Sequence, residues 1–430
     1  MPQPIIHMIA AARPNFMKVA PLLHALKADG SFDARLVHTG QHYDANMSDA
    51  FFSDLGMPEP HHHLGVGSGS HAEQTGRVMI AYEAVALAER PAFTIVVGDV
   101  NSTAAVAIVC AKLLIPVVHL EAGLRSFDRT MPEEINRLVT DVLADVLWTP
   151  SPDGDENLHN EGIPAARIER VGNIMIDSYE LMRAKIEADD TVARMGLAPR
   201  GYGVVTLHRP ANVDEREPLS LLVRQLVRVA DTLPLVFPVH PRTLKSLRAH
   251  QLYVELAEHP RIRLIEPVGY VPFMNLVSNA RLVITDSGGV QEETTYLDIP
   301  CLTVRPNTER PVTVTEGTNR LVPPAELVDH ATRAASGDWP HGRKPDLWDG
   351  RTAQRCVESL KRRMASAGPD ASGTGSRGNA GGVGQSAPGP ASPVVSRAAG
   401  PAGHAMQMVG ESTSVTADTS VTSKTSAAQA

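Results

Sequence analysis

Short apolar strings alternate with longer amphipathic stretches along residues 1–364. The strings fall at 5–11, 35–38, 93–97, 117–119, 203–206, 235–239, 263–265, 282–285 and 301–304. They are continuous rather than alternating, the pattern of strands buried on both faces of a parallel sheet. Helical periodicity fills the intervals at 16–27, 72–90, 102–114, 132–147, 218–231 and 291–297. Strands alternating with helices predict an α/β fold with parallel sheets. The first series ends near Trp148. A second begins near Gly203, after a charged helical stretch at 179–193. Two doubly wound domains facing a cleft are expected, with ligands outside the carboxyl ends of the strands. The residues just after each strand are therefore where chemistry is to be sought.

Composition changes this picture at one end. Residues 365–430 contain no Leu, Ile, Phe, Tyr or Trp, so they cannot bury enough apolar surface to offset ordering entropy and are expected to be a disordered tail. The remaining length suits two domains, taken as 1–175 and 176–364. With 40 Lys and Arg against 48 Asp and Glu, the net charge of −8 disfavours a nucleic-acid partner. Cys110, Cys301 and Cys356 are too widely spaced for a zinc ribbon or a CxxC pair and suggest a reducing compartment. No signal peptide is evident, and the best apolar run, 104–111, is far short of the ~20 residues of a membrane span, so a cytoplasmic protein with no membrane partner is expected.

Several strand ends carry reactive groups. Arg13 and Lys18 flank the helix start after the first strand, where they grip an anion or are solvated surface cations. Asp99 follows residues 93–97 and is a helix cap or a working acid/base. Glu121 directly follows an apolar strand, and a buried carboxylate there needs a partner or a raised pKa. Glu133 opens a helix and, at i,i+4 to Arg137, reads most simply as half of a surface ion pair. His208 and His240 each stand at a strand end, as general acid/base candidates or structural histidines. The sharpest signal is 282–285 followed by Asp286, Ser287, Gly288 and Gly289. This strand, glycine turn and helix start suit a phosphate seat, with Glu293 placed to accept ribose hydroxyls, or are a plain glycine-rich connector. Weaker signals read as structure: Ser70 to Glu73 as a capping box, His61-His62-His63 as a solvated loop, and Asp153-Gly154-Asp155 as a turn.

Taken in order, these segments resemble the non-hydrolysing UDP-N-acetylglucosamine 2-epimerase family. The resemblance spans nearly all of 5–364. It rests on Arg13-Pro14 with Lys18, Gly40-Gln41-His42, Gly98-Asp99, the run 119–125 (HLEAGLR), 132–137 (PEEINR), Gly172-Asn173, His208-Arg209, 286–293 (DSGGVQEE), 308–311 (TERP) and 317–320 (GTNR). Each motif alone is weak; the ordered series is specific. It implies two Rossmann-like domains in the GT-B arrangement, with residues 353–362 as a last helix packing back on the first domain. It implies reversible conversion of UDP-GlcNAc to UDP-ManNAc by elimination of UDP to a glycal and re-addition, with no cofactor and no metal. By motif, Asp99, Glu121, Glu133 and His208 are the catalytic candidates. Arg13, Lys18, His240, Phe273, Ser287, Gly288, Gly289, Glu293 and Arg310 are the substrate-binding candidates, with Phe273 near uracil. A homodimer is implied by the resemblance alone. The segment 40–47 lacks the glutamine-bearing helix start of members with a second, activating sugar site, so activation by substrate is not expected. A GT-B glycosyltransferase, a hydrolysing epimerase and a nucleotide-sugar sensor are the competing readings.

Overall fold

The computed structural model describes residues 2–11, 13–40 and 55–367. Residues 41–54 and 368–430, and the side chains of Arg13 and Pro14, lie outside the described residues. With them go the expectations about an activating sugar site, the tail and the grip of Arg13.

The apolar strings form two all-parallel sheets. The first holds β1 (Ile5–Ala10), β2 (Asp33–His38), β3 (His62–His63), β4 (Phe93–Val97), β5 (Val117–Leu120), β6 (Val146–Thr149) and β7 (Ile168–Arg170), in the order β3-β2-β1-β4-β5-β6-β7. The second holds β8 (Gly203–Thr206), β9 (Leu235–Pro238), β10 (Ile262–Ile265), β11 (Leu282–Thr285), β12 (Cys301–Thr303) and β13 (Asn319–Leu321), in the order β10-β9-β8-β11-β12-β13. Helices of the first lobe are α1 (Arg13–Asp29), α2 (His71–Glu89), α3 (Asn101–Leu113), α4 (Pro132–Leu143), α5 (Pro152–Asn160) and α6 (Ile174–Ala188). The second lobe adds α7 (Thr191–Arg194), α8 (Pro210–Val213), α9 (Arg216–Ala230), α10 (Pro241–Ala249), α11 (Tyr253–Ala257), α12 (Tyr270–Ser278), α13 (Gly288–Tyr296), α14 (Val312–Thr315) and α15 (Leu327–Ser336), before α16 (Thr352–Ala367).

Both faces of the first sheet are covered, which is why its strands read as unbroken apolar strings. Ile6, Met8 and Ala10 share a core with Val19, Ala20 and Leu23 of α1. Ile9, Val37 and Val96 pack on the other face with Val78, Tyr82 and Val106. The α6 residues Ile176, Tyr179, Met182 and Ile186 belong to a cluster that contains both Met17 of α1 and Met274 and Val277 of α12. One apolar seam therefore runs between the lobes. The last helix, α16, returns to the first sheet: Trp148 Nε1 donates to Ser359 Oγ at 3.0 Å and Lys361 Nζ reaches Asp29 at 2.7 Å.

Five sequence readings are corrected. The helix expected over 132–147 stops at Leu143, and Val146–Thr149 is a strand. Ala144 leaves helical geometry at φ −66°, ψ 137°, and the next apolar run pairs with β5 and β7, so tertiary burial overrides helical periodicity. The first series extends past Trp148 to β7, and α16 runs to Ala367, past the expected start of the tail. His62 and His63 form a short edge strand rather than a solvated loop. Asp153 to Asp155 lie in the first turn of α5.

Candidate active site

Strand order reverses at the β1/β4 junction of the first sheet and the β8/β11 junction of the second, and the site candidates gather at these two switch points. In the first lobe Lys18 sits on α1, and the turn after β4 carries Gly98 at φ +67°. A Cβ on Gly98 would lie 3.4 Å from both Glu121 Oε2 and Lys18 Nζ, so glycine supplies the backbone conformation and leaves room for that ion pair. Glu121 follows β5 at φ +70°, in the left-handed region, which costs a non-glycine residue on the order of 1–3 kcal/mol. Backbone bonds from Glu121 N and Ala122 N to Trp148 O, 3.1 Å each, hold it there. The carboxylate is buried, with Oε2 ion-paired to Lys18. Oε1 has no hydrogen-bond partner and lies 3.9 Å from Arg310 Nη2 of the second lobe.

Asp99 does not cap α3, whose N-cap is Val100 with no side-chain bond. Its Oδ2 instead accepts from Arg137 Nε at 3.0 Å and Nη2 at 2.6 Å. Burial pushes the Asp99 pKa up, but the nearby charges of Arg137, Lys18 and Arg310 outweigh it and hold the group below the ordinary carboxylate value. The expected Glu133–Arg137 surface pair is absent: Arg137 is buried and pairs with Glu134 at 2.6 Å. Glu134 accepts from Ser126 N, Ser126 Oγ and Phe127 N at 2.9–3.0 Å, so it is the structural carboxylate of the motif. Glu133 is half-buried and makes no hydrogen bond or ion pair among the described residues.

The second lobe presents a different chemistry. Asp286, fully buried after β11, accepts from His208 N at 3.0 Å, Arg209 N at 2.9 Å and Asn212 Nδ2 at 3.1 Å. Its Oδ1 lies 2.9 Å from His208 Nδ1, which leaves Nε2 as the ring nitrogen available to a ligand. Burial opposes the Asp286 charge, but the bond to His208 and the backbone donors lower its pKa overall. His240 has a structural job: its Nδ1 accepts from Arg242 N at 3.2 Å and caps α10. Its ring stands 5.6 Å from that of His208, and burial, then the His208 and Arg242 charges, push its pKa down.

Ser287 is the N-cap of α13, with no capping bond from its hydroxyl, and Gly288 and Gly289 form the first turn. A Cβ on Gly288 would lie 2.6 Å from Arg310 Nη1, whereas one on Gly289 would meet only open space. The glycines thus let a guanidinium and a ligand approach the helix start closely, where backbone N–H groups and the dipole favour an anion. Arg310 Nε pairs with Glu292 Oε1 at 2.8 Å, and Nη1 lies 3.7 Å from Glu309. Glu309 also meets Arg305 at 2.9 Å, Arg209 at 3.4 Å and Arg137 of the first lobe at 3.7 Å, and Arg310 and Arg305 hold its pKa far below normal against the effect of burial. Glu293 is different. It accepts from Tyr270 OH at 2.9 Å, and no cation pairs with it among the described residues. Burial pushes its pKa to about 8, with Glu292 adding to the effect and the Tyr270 bond opposing it. Phe273, half-buried, shares α12 with Tyr270.

The structure therefore joins Lys18, Glu121, Asp99 and Arg310 in one charge network across the lobes. Glu133, His240, Phe273 and Ser287 have no recorded bond to it. The charged framework that sequence spacing missed is Arg137, Glu309 and Glu292, together with Asp286 as the group orienting His208. Asp153, which the sequence offers only within the turn reading of Asp153-Gly154-Asp155, has both carboxylate oxygens buried without a hydrogen-bond partner, and burial raises its pKa. It lies just after β6, the strand beside β5, which Glu121 follows.

A sequence model described as UDP-N-acetylglucosamine 2-epimerase matches residues 24–361. The UDP-N-acetylglucosamine 2-epimerase of Methanocaldococcus jannaschii is 43% identical over 323 residues, covering 74% of this chain and 88% of the relative. The UDP-2,3-diacetamido-2,3-dideoxy-D-glucuronate 2-epimerase of Pseudomonas aeruginosa is 40% identical over 334 residues, covering 76% and 91%. Among solved structures, the M. jannaschii enzyme in complex with UDP-GlcNAc and UDP superimposes with a TM-score of 0.77 at 40% identity, covering 83% of this chain and 99% of that one. The S. aureus MnaA–UDP structure gives 0.76 at 27% identity, covering 84% and 97%. On sequence and fold together, this chain belongs to the UDP-N-acetylglucosamine 2-epimerase family.

Proposed function

We propose that the protein interconverts UDP-GlcNAc and UDP-ManNAc by elimination and re-addition of UDP. The observation that carries this reading is the meeting of Glu121 and Arg310 at 3.9 Å, which sets first-lobe carboxylates against the anion-binding end of the second lobe. The first turn of α13, Arg310, Lys18, Arg13 and His208 Nε2 take the diphosphate; Glu293 takes the ribose hydroxyls and the Phe273 region takes uracil. The sugar then faces Asp99, Glu121 and Glu133.

The C2 hydrogen of the sugar has no adjacent carbonyl, so simple deprotonation is too hard. As the bond from C1 to the β-phosphate oxygen breaks, positive charge at C1 acidifies C2–H. A carboxylate takes that proton, C1=C2 forms, and UDP leaves with the bonding pair. A carboxyl on the other face returns a proton to C2, and UDP re-adds at C1. Proton carriers are needed on both faces, and the leaving diphosphate must be held. Asp99, kept ionised by Arg137, is suited to accept a proton. Arg310, His208 and the α13 turn stabilise the departing charge.

Incubation with UDP-GlcNAc in D2O, without acceptor and followed by NMR, tests this. UDP-ManNAc with deuterium at C2 is the expected product. Unlabelled product indicates a route in which the C2 hydrogen never exchanges with solvent and counts against the elimination; free ManNAc with UDP indicates the hydrolysing reaction; no change without an acceptor indicates a glycosyltransferase. The same assay with a UDP-2,3-diacetamido uronate decides between the sugars named for the two relatives. We also propose a cytoplasmic homodimer. Ile80 and Leu87, exposed and seven residues apart on α2, supply an apolar face for a second copy, and the solution mass decides it. Among the described residues no helix is long and apolar enough to cross a membrane.

A further inference from the structure

The histidine tract that the reaction does not use converges with a buried histidine and a carboxylate. His7 lies on β1 and is fully buried, His62 lies on β3, and Glu89 ends α2. His7 Nε2 is 2.7 Å from Glu89 Oε2, and His62 Nε2 is 2.9 Å from Glu89 Oε1. One ligand atom from each residue lies within 4.8 Å of the other two. We infer that His7, His62 and Glu89 form a binding site for a divalent transition ion of the zinc class, on the α2 side of the first sheet and away from the cleft.

Two imidazoles and one carboxylate are the donor set that borderline ions such as Zn²⁺ and Co²⁺ prefer. Around a tetrahedral ion with bonds of about 2.0–2.1 Å, donor atoms stand roughly 3.3 Å apart. The two Glu89 contacts must open by less than an ångström, and the two imidazole nitrogens, within 4.8 Å of each other, must close by at most about 1.5 Å. Partial exposure of His62 and Glu89, at 28% and 17%, leaves a path for the ion and a solvent molecule as fourth ligand.

The surroundings also suit a cation. Arg35 touches Glu89, but it is bound by Asp33 at 2.7 Å, so Glu89, Asp33 and Arg35 together carry one net negative charge. His7 Nδ1 lies 3.1 Å from Tyr82 OH, which lies 2.8 Å from Thr94 Oγ1. Without an ion, Nε2 must carry the proton that meets Glu89, and Nδ1 accepts from Tyr82. With an ion on Nε2, the proton sits on Nδ1 and is donated to Tyr82 OH, which turns its own hydrogen toward Thr94. Both hydroxyls donate and accept, so the ring changes tautomer without losing a bond or releasing a proton. Such an ion pins the two-residue edge strand β3 to β1 and α2.

Titration of the tag-free full chain with Zn²⁺ against a chromophoric competitor tests the site. One equivalent per chain is expected, with visible d–d absorption when Co²⁺ is used instead. At a hundredfold excess over Kd the ion should raise Tm by on the order of 5 °C. His62→Ala and Glu89→Gln should each weaken binding at least about 100-fold, more than loss of an outlying partner does. Tyr82→Phe, which removes only a positioning hydroxyl, should weaken it about 10- to 100-fold. The absence of stoichiometric binding overturns the inference. So does binding that survives both His62→Ala and Glu89→Gln, since it then belongs to other surface histidines.

Discussion

Glu121 and Glu293 are equally buried, each 4% exposed, yet the two lobes treat them in opposite ways. Glu121 meets Lys18 on one oxygen and faces Arg310 on the other. Among the described residues Glu293 meets only a tyrosine hydroxyl, and its pKa climbs to about 8. Burial by itself therefore does not decide what a carboxyl can do; the number of cations beside it does. The first lobe sets Lys18, Arg137 and Arg310 beside Glu121 and Asp99, and those cations outweigh burial and lower the pKa of Asp99. The second lobe spends its arginines on Glu309 and Glu292 and leaves Glu293 to neutral partners, which suits a group that grips hydroxyls.

The largest effect expected from breaking this contrast is at the charged end. Glu121→Gln should lower turnover about 10³-fold, as removal of a general acid/base does. Because Lys18 and Arg310 lose a counter-charge, UDP should bind at least as tightly as before. A variant that loses UDP binding along with turnover would mark Glu121 as a structural strut. Arg310→Met comes next. It leaves Glu121, Glu292 and Glu309 facing one another and removes a donor to the diphosphate, so kcat/KM should fall about 10²- to 10³-fold with UDP affinity falling too. Arg310→Lys should rescue little, because an ammonium cannot span three carboxylates as a guanidinium fork does. Asp286→Asn is expected to cost about tenfold to a hundredfold in turnover, with the pH profile altered, because His208 loses the carboxylate that fixes its tautomer. An unchanged pH profile in that variant counts against His208 as a proton-bearing group.

Where the sequence was readable, it was readable for a physical reason. Strands buried on both faces must be apolar at every position, so β1, β4, β5, β8 and β11 declare themselves, and the positions just after β4, β5, β8 and β11 hold Asp99, Glu121, His208 and Ser287. Strands β3, β7 and β13, two or three residues each, are too short to leave such a pattern, and β6 was absorbed into the periodicity of α4 because an apolar run of four residues fits either element. Long-range ion pairs leave no local trace at all. Arg137 sits four residues after Glu133, and spacing pairs them; the fold instead carries it to Asp99, 38 residues away in sequence. Arg310 gains its place between Glu121, Glu292 and Glu309 only when two lobes close on it. It entered the sequence reading solely through the Thr-Glu-Arg-Pro motif of the family.

The smallest effect expected is also the one that separates the two lobes most directly. Glu293→Gln keeps the shape and a hydrogen bond to Tyr270, so UDP affinity should fall only about tenfold, the loss of one neutral hydrogen bond. Its pH signature is sharper. With a folded pKa near 8, against about 4.3 in the unfolded chain, Glu293 holds a proton in the folded state that the unfolded chain has already released. Stability must then decline as pH rises through that interval and level off above about pH 8. Glutamine removes this slope, so the Tm of Glu293→Gln relative to the parent should rise from pH 5 to about pH 8 and level off beyond it. Asp99 is displaced the other way: its contribution is fully present above the ordinary carboxylate pKa and is lost only as pH falls through its lower folded value. The Tm difference for Asp99→Asn should therefore stay flat over the same range. Thermal scans of both variants at pH 5, 7 and 9 check the pair together, and parallel slopes would show that the two lobes do not tune their carboxyls differently.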